Sequence, residues 1–350
     1  MKIRLGRYEL EKPVALAPME DVTDLGFRLI CKEFGADIVY TEFISSEGLI
    51  RSARKSLAKL INDDKERPIG IQIFGGDPTV MSEAAKIAQD AGPDFIDINA
   101  GCWVPKVAQR GAGAGLLKDM KQMRSIIHAV KSAVSLPVSL KTRLGWDSNS
   151  ITIFEVSKIC AEEGLSALTI HARTRDQHHD GEANWDWIRA VKEKAALPII
   201  GNGDIREAQD AIDMFSCTGC DGVMVARGAV SNPWIFREIK SLMSGEPVPA
   251  GVTIEERAAT CLRHLEMEIQ LKGERRAIME FRKYYHGYFH GVRNGSALRS
   301  RLVTLGTLPE VKDAILGFAH AEASGSPSDQ LTASPTGLYL PISNNNPHER

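Results

Sequence analysis

The stretch Phe95-Ile96-Asp97-Ile98-Asn99 shows the unit from which this chain is built, a short apolar run that opens into a polar, glycine-containing loop. Comparable runs recur along the chain, with helical stretches between them. Near-continuous apolar runs of this length are typical of parallel strands that are buried on both faces. The runs are Val14–Ala17, Asp37–Tyr40, Ile69–Phe74, Phe95–Asn99, Val138–Arg143, Ala167–His171, Ile199–Gly201 and Gly222–Ala226.

The stretches between these runs have helical periodicity, and several end at a glycine or proline, as at Gly92, Gly164 and Pro198. Examples are Val80–Ala91, Met120–Val134, Ile151–Glu163, Trp185–Ala195 and Arg206–Phe215. Eight strands that alternate with helices predict an α/β fold, a (β/α)8 TIM barrel. A doubly wound sheet is the alternative, but that architecture does not need eight regular units.

The pattern changes after about Val230, and a stretch rich in Pro and Gly that starts at Ser244 indicates a linker. Thr253 then caps a helical region that has Glu255 and Glu256 in its first turn, a typical helix start. We predict a catalytic barrel over residues 1–243, a linker over 244–252 and a smaller helical domain over 253–320. Residues 321–350 are rich in Ser, Pro, Gly and Asn and are predicted to be disordered.

Within the helical domain, residues 272–301 contain eight basic residues against two acidic ones, with five aromatic residues interleaved. A solvated helix face over an aromatic core is the simpler explanation. The whole chain has a net charge of −2, so any nucleic-acid binding must come from a local patch, and this segment favours an RNA-docking surface. Because the segment lies beyond the barrel, we expect it to have no role in a cofactor site.

The composition is that of an ordinary globular protein, with 43% hydrophobic and 25% charged residues. The first residues show no apolar secretory segment, and no apolar run reaches the roughly 18 residues of a membrane span. Six cysteines without a secretory signal indicate reduced thiols, so we expect a cytoplasmic protein with no membrane partner. The pair Cys217 and Cys220 lacks the further ligands of a zinc site and is interpreted as packing.

Functional side chains of a (β/α)8 barrel lie at the carboxyl ends of its strands. Here those ends concentrate polar, cationic and glycine residues, which indicates a catalytic rim. They are Pro18, Met19, Thr41, Glu42, Gln72, Asn99–Cys102, Lys141, Arg143, His171–Arg175, Gly201–Gly203 and Ala226–Gly228.

One residue of this rim, Cys102, follows the fourth predicted strand and has Lys106 four residues on. A thiol in a loop beside a cation suits proton transfer, because the lysine would lower the thiol pKa and the loop would give a ligand access. The alternative is a buried structural cysteine, which is a common environment for this residue.

The loops after the seventh and eighth strands often build a phosphate site in such barrels. Here they contain Asn202-Gly203-Asp204 and Ala226-Arg227-Gly228. Glycines let backbone N–H groups approach an anion, and the arginine supplies charge. Lys141 could stabilise negative charge on a bound ring, while His171 and Gln72 could hydrogen-bond the same cofactor.

Taken together, these segments resemble the tRNA-dihydrouridine synthase family over residues 10 to 320. The matching segments are Leu16–Asp24, Gln72–Gly76, Asp97–Cys102 with Lys106, Lys141–Arg143, His171–Arg175, Asn184-Trp185, Gly201–Asp204 and Ala226–Gly228. The resemblance implies an FMN-bound barrel, a C-terminal helical domain that helps hold tRNA, and NADPH as the electron donor. The implied activity is reduction of uridine to 5,6-dihydrouridine in tRNA, and we expect a monomer.

The resemblance implies that Cys102 protonates C5 of the uracil as flavin hydride adds at C6, while Asn99 positions the base. The residues expected around FMN are Pro18, Met19, Gln72, Lys141, His171, Asn202, Gly203, Asp204, Ala226, Arg227 and Gly228. Those expected to bind tRNA are Asn99, Lys106, Arg143, Arg173, Arg175, Arg275, Arg276, Arg282 and Lys283.

Two positions depart from the family's pattern. Trp103 stands where the family usually has a proline directly after the cysteine, and His179 stands where it often has a tyrosine. Because proline would restrict φ, Trp103 bears on the conformation of the loop beside the thiol. The run His178-His179-Asp180 is not expected to bind a metal, since adjacent residues on an irregular loop rarely point at one ion.

Two other functions use the same features. A flavin barrel that acts on a free pyrimidine or enoate would need the same rim but not the basic helical domain. An RNA-binding protein that has lost its chemistry would account for Trp103, but not for the retained Cys102 and Lys141. The sequence therefore favours an enzyme that acts on tRNA.

Overall fold

The structure is a computed structural model that describes residues 1–324, and a barrel of parallel strands forms its centre. Each predicted apolar run overlaps one of the barrel strands. The strands are β1 Ile3–Leu5, β2 Tyr8–Leu10, β3 Val14–Leu16, β4 Val39–Tyr40, β5 Ile44–Ser45, β6 Ile69–Phe74, β7 Phe95–Ala100, β8 Val138–Arg143, β9 Ala167–His171, β10 Ile199–Asn202 and β11 Gly222–Val225.

The strand order shows that the sheet closes on itself. From β3 the parallel pairs run through β11, β10, β9, β8, β7 and β6 to β4, while the short β5 also pairs with β6. The gap between β3 and β4 is bridged where the Leu16 N–H donates to the Ile38 carbonyl at 2.9 Å, beside a parallel bridge between Ala15 and Ile38. The predicted (β/α)8 barrel is confirmed, and the doubly wound sheet is excluded.

The five barrel helices named from the sequence are present, to within a few residues at their ends. Asp77 caps α4, for example, by accepting a hydrogen bond from the Val80 N–H at 2.9 Å. The α-helices of the barrel half are α1 Leu25–Glu33, α2 Ser46–Ile50, α3 Arg54–Ala58, α4 Pro78–Asp90, α5 Pro105–Ala108, α6 Met120–Ala133, α7 Ile153–Glu162, α8 Asp186–Lys192, α9 Ala208–Thr218, α10 Arg227–Ser231 and α11 Ile235–Met243. Short 3-10 helices cover Asp64–Glu66 and Gly113–Lys118.

The sequence analysis missed the hairpin formed by β1 and β2. Ile3 and Leu5 of this hairpin are buried and belong to the same apolar cluster as Tyr40 and Phe95, which lies inside the barrel. Gly70 makes room for this cluster, because a Cβ there would lie 2.3 Å from the Phe95 ring. The hairpin therefore completes the core on the side away from the catalytic rim.

An exposed connection over residues 244–251 leads from the barrel into further helices. These are α12 Ile254–Lys272, α13 Glu274–Phe281, α14 Tyr285–Phe289, α15 Gly295–Leu302 and α16 Leu308–Ala323, with a 3-10 turn at Arg282–Tyr284. The last helix extends past residue 320, so residues 321–323 are helical and not part of a disordered tail. The rest of the predicted tail, from residue 325, lies outside the described residues.

The aromatic residues of the basic segment form the core of these helices. Phe281, Tyr284, Tyr285, Tyr288 and Phe289 are all at most 2% exposed. They pack on one another and on the barrel; Tyr284, for example, lies 5.2 Å from the ring of Phe27 on α1. The simpler explanation is therefore correct for the aromatic rings, which are buried and not available to a ligand. Among the described residues, no helix has the length and apolar character needed to cross a bilayer.

Candidate active site

A cavity of about 310 Å³ opens at the carboxyl ends of the barrel strands, where the sequence predicted a functional rim. Part of its wall is apolar and includes Ala17, Met19 and Met224. The predicted site residues that line it are Pro18, Met19, Asn99, Cys102, Lys141, Arg143, His171, Asn202, Gly203, Asp204, Ala226 and Arg227. They come from loops and ends of six different strands, so closure of the barrel is what brings them together.

Cys102 lies between β7 and α5, and only 8% of its surface is exposed. Its backbone N–H donates to Asn99 Oδ1 at 2.9 Å, and the N–H of Gly101 donates to the same oxygen at 3.0 Å. The loop thus wraps around the Asn99 side chain. This wrapping fixes where the thiol stands at the cavity wall.

A buried chain of hydrogen bonds holds Asn99 in turn. Asn99 Nδ2 donates to Gln72 Oε1 at 2.7 Å, and Gln72 Nε2 donates to Asp97 Oδ2 at 2.6 Å. Ser139 completes the chain by donating to Asp97 Oδ1. Burial raises the pKa of Asp97 to about 6. Gln72, which was predicted to contact the cofactor, is fully buried and does not line the cavity, and its side chain holds that of Asn99.

The thiol of Cys102 is not activated by Lys106, contrary to the sequence prediction. Burial raises the pKa of the thiol, and the charges of Arg143 and Lys141 offset this only in part. Lys106 lies exposed on α5, outside the cavity. A thiol that stays protonated at neutral pH is suited to donating a proton and poorly suited to nucleophilic attack.

Three basic side chains from β8 and β9 lie beside the thiol in the cavity wall. Burial, together with the charge of Arg143, lowers the pKa of Lys141 to about 8. Burial lowers the pKa of Arg143 to about 10, and its guanidinium donates to the carbonyls of Gly101 and Thr174. Burial also holds the pKa of His171 well below its usual range, so this ring is neutral at pH 7. Positive charge in this part of the cavity therefore comes from Lys141 and Arg143.

The loops after β10 and β11 gather arginines around one carboxylate, that of Asp204. Arg227 lies 3.1 Å and Arg206 lies 3.6 Å from Asp204 Oδ1, while Arg173 lies 2.6 Å from Oδ2. Arg206 and Arg227 line the cavity and are 70% and 56% exposed. Three cations against one carboxylate leave an excess of positive charge, which suits an anionic group.

Arg173 does not face a ligand, contrary to its predicted role in tRNA binding. It is fully buried and donates to the carbonyls of Asp180 and Gly181 at 3.2 and 2.6 Å, as well as to Asp204. It therefore fastens the loop after β9 to the loop after β10. Arg175 also lies outside the cavity lining, and its guanidinium stacks on the Trp146 ring at 4.5 Å.

Gly228 is buried and does not line the cavity, although it was predicted to bind the cofactor. A Cβ at this position would lie 2.5 Å from the Ile205 carbonyl, so the glycine allows two loops to pack closely. Conversely, the sequence analysis missed Arg206, which lines the cavity. Its position three residues after Gly203, in a loop expected to bind phosphate, was the signal that could have identified it.

A sequence profile described as dihydrouridine synthase (Dus) matches residues 15–321, which is most of the chain. The chain belongs to the dihydrouridine synthase family. It is therefore an oxidoreductase, as the sequence predicted.

Full-length relatives support membership of the dihydrouridine synthase family. The chain is 38% identical over 304 residues to tRNA-dihydrouridine synthase B of Pseudomonas putida, covering 87% of this chain and 90% of that protein. It is 35% identical to tRNA-dihydrouridine synthase B of Pasteurella multocida, covering 90% of this chain and 95% of the relative. A probable tRNA-dihydrouridine synthase of Rickettsia prowazekii is 37% identical, with coverage of 90% and 97%.

Solved structures with the same barrel are much more distant in sequence. Morphinone reductase superposes with a TM-score of 0.50 at 13% identity, covering 71% of this chain and 89% of the other. Histamine dehydrogenase from Rhizobium sp. 4-9 superposes with a TM-score of 0.53 at 13% identity, and the match spans half of that longer chain. At these identities the likeness supports the fold alone.

The two positions at which this chain departs from the dihydrouridine synthase pattern contact each other. The centroids of the Trp103 and His179 rings are 6.0 Å apart, with the rings perpendicular. His178 stacks on the indole at 4.3 Å. Trp103 and His179 both line the cavity, and both imidazoles lie against this one aromatic side chain.

The C-terminal helices hold the loop between β3 and α1, whose residue Met19 lines the cavity. The Tyr284 hydroxyl donates to the Val22 carbonyl at 2.5 Å, and Lys283 donates to the Asp21 carbonyl. Lys272 lies 2.6 Å from Asp24, and its pairing with carboxylates raises its pKa. The basic segment thus contacts a loop whose Met19 lines the cavity, although the sequence analysis expected it to have no role in a cofactor site.

Proposed function

We propose that this protein reduces uridine in tRNA to 5,6-dihydrouridine, with FMN as its cofactor and NADPH as the reductant. The observation that carries the proposal is the position of a protonated thiol, that of Cys102, in the same cavity as Lys141 and the exposed guanidinium groups of Arg206 and Arg227. The names of the relatives, which are tRNA-dihydrouridine synthases, agree with it.

The residues of the cavity fit FMN. Its apolar wall suits a flat ring, and the ammonium group of Lys141 suits the negative charge that a reduced flavin would carry. The excess positive charge around Asp204 suits the phosphate, which Arg206 and Arg227 would contact directly. Bound there, FMN would supply the hydride for C6 of the uracil.

The chain itself would supply the proton and the orientation. Cys102 would donate the proton to C5, because burial keeps its thiol protonated. Asn99 sets the loop that carries the thiol, and it lines the cavity, where it would help to position the base. Arg143 lies near enough to the thiol to stabilise the thiolate that remains after the transfer.

The basic side chains of the C-terminal helices would bind the body of the RNA. Arg275, Arg276 and Arg282 are exposed, whereas the aromatic residues beside them are buried. A flipped uridine costs a few kcal/mol in lost stacking and pairing, and phosphate contacts elsewhere on the tRNA can offset that cost. We place this reaction in the cytoplasm and expect a monomer to perform it.

Two measurements test the proposal. The purified protein should carry FMN, and NADPH should bleach its flavin absorbance. Digests of tRNA from cells with and without the gene should differ by the mass of two hydrogen atoms at defined uridines. If flavin is bound and reduced while tRNA from both strains is identical, the protein is a flavin barrel for another substrate.

A further inference from the structure

Three aromatic rings form a wall at the mouth of the cavity. The imidazole of His178 lies against the indole of Trp103 with a centroid distance of 4.3 Å and a tilt of 36°. The ring of His179 meets the same indole edge-on at 6.0 Å, and it lies 6.2 Å from the ring of His171. We call Trp103, His178 and His179 the aromatic wall.

The loop that carries the two histidines is held in a conformation that costs energy. His178 has a φ of +51°, in the left-handed region that residues other than glycine rarely adopt. The buried Arg173 anchors the same loop through the carbonyls of Asp180 and Gly181. The strained backbone places the His178 imidazole on the indole, and backbone strain of this kind is concentrated at ligand sites.

The aromatic wall lies nearer to solvent than the thiol of Cys102 does. Cys102 is buried, whereas the next residue, Trp103, is half-exposed and His179 is exposed. Trp103 and His179 line the cavity but His178 does not, so His178 supports the indole from outside. A ligand group that contacts the wall therefore lies nearer to solvent than the group that reacts at the thiol.

We propose that the aromatic wall is a subsite for a nucleobase, and that it stacks on a base next to the uridine that enters the cavity. The inference rests on the proposed function. Extruding a base leaves its neighbour without a stacking partner, and an aromatic face can replace that partner for any base. Partial desolvation, together with the nearby charges of Arg143 and Arg227, lowers the pKa of His179 to about 4, so this part of the wall is uncharged at neutral pH.

The test compares Trp103→Ala with Trp103→Phe, and with Trp187→Ala as a matched control. The ring of Trp187 meets that of Phe154 edge-on, with the centroids 5.9 Å apart, and Trp187 does not line the cavity. Steady-state KM and kcat are measured with unmodified tRNA transcript, and NADPH oxidation with oxygen as acceptor is measured without RNA. Trp103→Ala should raise the KM for tRNA by about 10- to 100-fold, the fold-change expected for one stacked base.

Trp103→Phe should stay close to wild type, since it keeps an aromatic face, and His178→Ala should fall between the two. NADPH oxidation should be unchanged in every variant. Unchanged tRNA kinetics in Trp103→Ala would overturn the inference, and so would Trp103→Phe behaving as Trp103→Ala. A raised KM for NADPH without RNA would also overturn it and assign the wall to the nicotinamide. Failure of wild type to reduce tRNA would instead contradict the proposed function.

Discussion

The backbone N–H of Cys102 donates to the side-chain oxygen of Asn99 at 2.9 Å, so the position of the thiol depends on the orientation of one amide. Gln72 fixes that amide, because Gln72 Oε1 accepts a hydrogen bond from Asn99 Nδ2 at 2.7 Å. Gln72→Leu should leave Asn99 and Asp97 without these partners, at a cost of about 1–3 kcal/mol for each buried group. We expect a lower free energy of unfolding and a lower kcat for tRNA, with flavin binding retained. Denaturant unfolding and tRNA kinetics check this, and normal kcat in the variant would contradict the positioning role.

Cys102→Ala should separate the two halves of the reaction. Flavin binding and flavin reduction by NADPH should persist, while uridine reduction slows by about 10²–10⁴, the usual contribution of a positioned proton donor. Stopped-flow absorbance follows the first half-reaction, and mass spectrometry of tRNA digests follows the second. Equal rates of uridine reduction in variant and wild type would mean that the thiol is only packed, and loss of flavin would make Cys102 structural.

Arg227→Ala should weaken flavin retention, because the side chain lines the cavity beside the loop of Asp204. Arg227 is more than half exposed and is already paired, so we expect a loss of roughly 1 kcal/mol, smaller than for a buried phosphate contact. Arg206→Ala should have a similar effect, and Arg189→Ala on the outer helix α8 serves as the control. Titration of the flavin-free protein with FMN measures the dissociation constants. Equal affinity in all three variants would contradict the phosphate site.

Lys141 should make flavin affinity depend on pH. In the flavin-free protein its pKa is about 8, and the electron-rich edge of a bound flavin ring would favour its ammonium form. Affinity should therefore fall as pH rises through about 8, because the proton needed for this interaction is lost. Lys141→Met should show no such fall between pH 7 and 9. Fluorescence titration across this range checks it, and parallel curves for the two proteins would contradict the assignment.

Lys141 should also make the free energy of unfolding of the flavin-free protein depend on pH. Between pH 8 and its usual pKa of 10.5, the unfolded chain holds a proton on Lys141 that the folded chain has released. Lys141 therefore lowers the free energy of unfolding below about pH 8, and this penalty shrinks as pH rises from about 8 to 10.5, so the stability of the folded chain rises with pH in this window. Comparing wild type with Lys141→Met by denaturant unfolding isolates that contribution.

The basic residues of the C-terminal helices should be tested in two groups. Arg275 and Arg282 have no ion-pair partner among residues 1–324, so Arg275→Gln with Arg282→Gln should raise the KM for tRNA without loss of stability. In a plot of the logarithm of the tRNA binding constant against the logarithm of the salt concentration, the slope should become shallower by about 0.7–0.9 for each lost phosphate contact. An unstable protein with no selective tRNA defect would contradict the docking surface.

Lys283→Met with Arg276→Gln tests the second group. Lys283 contacts the loop that carries Met19, and Arg276 pairs with Glu280 at 2.6 Å. This pair of substitutions should also change flavin retention, unlike the first pair. FMN titration of both double variants distinguishes the groups, and identical flavin affinity would mean that the loop does not need Lys283.

By itself, the sequence determined the barrel, the order of its strands and most of the rim. Buried strands that alternate with helices leave a periodic pattern in the sequence, and this pattern marks where each strand ends. Polar residues that directly follow a strand, such as Cys102, are thereby assigned to the rim of the barrel. The sequence alone therefore places Lys141, His171 and Asn99 at the rim, where they line the cavity. The few errors in element ends, such as the length of the last helix, arise because chain termini carry weak signals.

The tertiary structure alone decided which way the side chains of the rim point and what surrounds them. Arg173 turns inward to Asp204 although it lies on the same loop as the exposed His179, and Gln72 turns to Asn99. Burial reversed the predicted shift of the Cys102 pKa, because desolvation of the thiolate outweighs its neighbouring cations. Such effects depend on residues distant in sequence, and only the closed barrel with its packed helices brings those residues together.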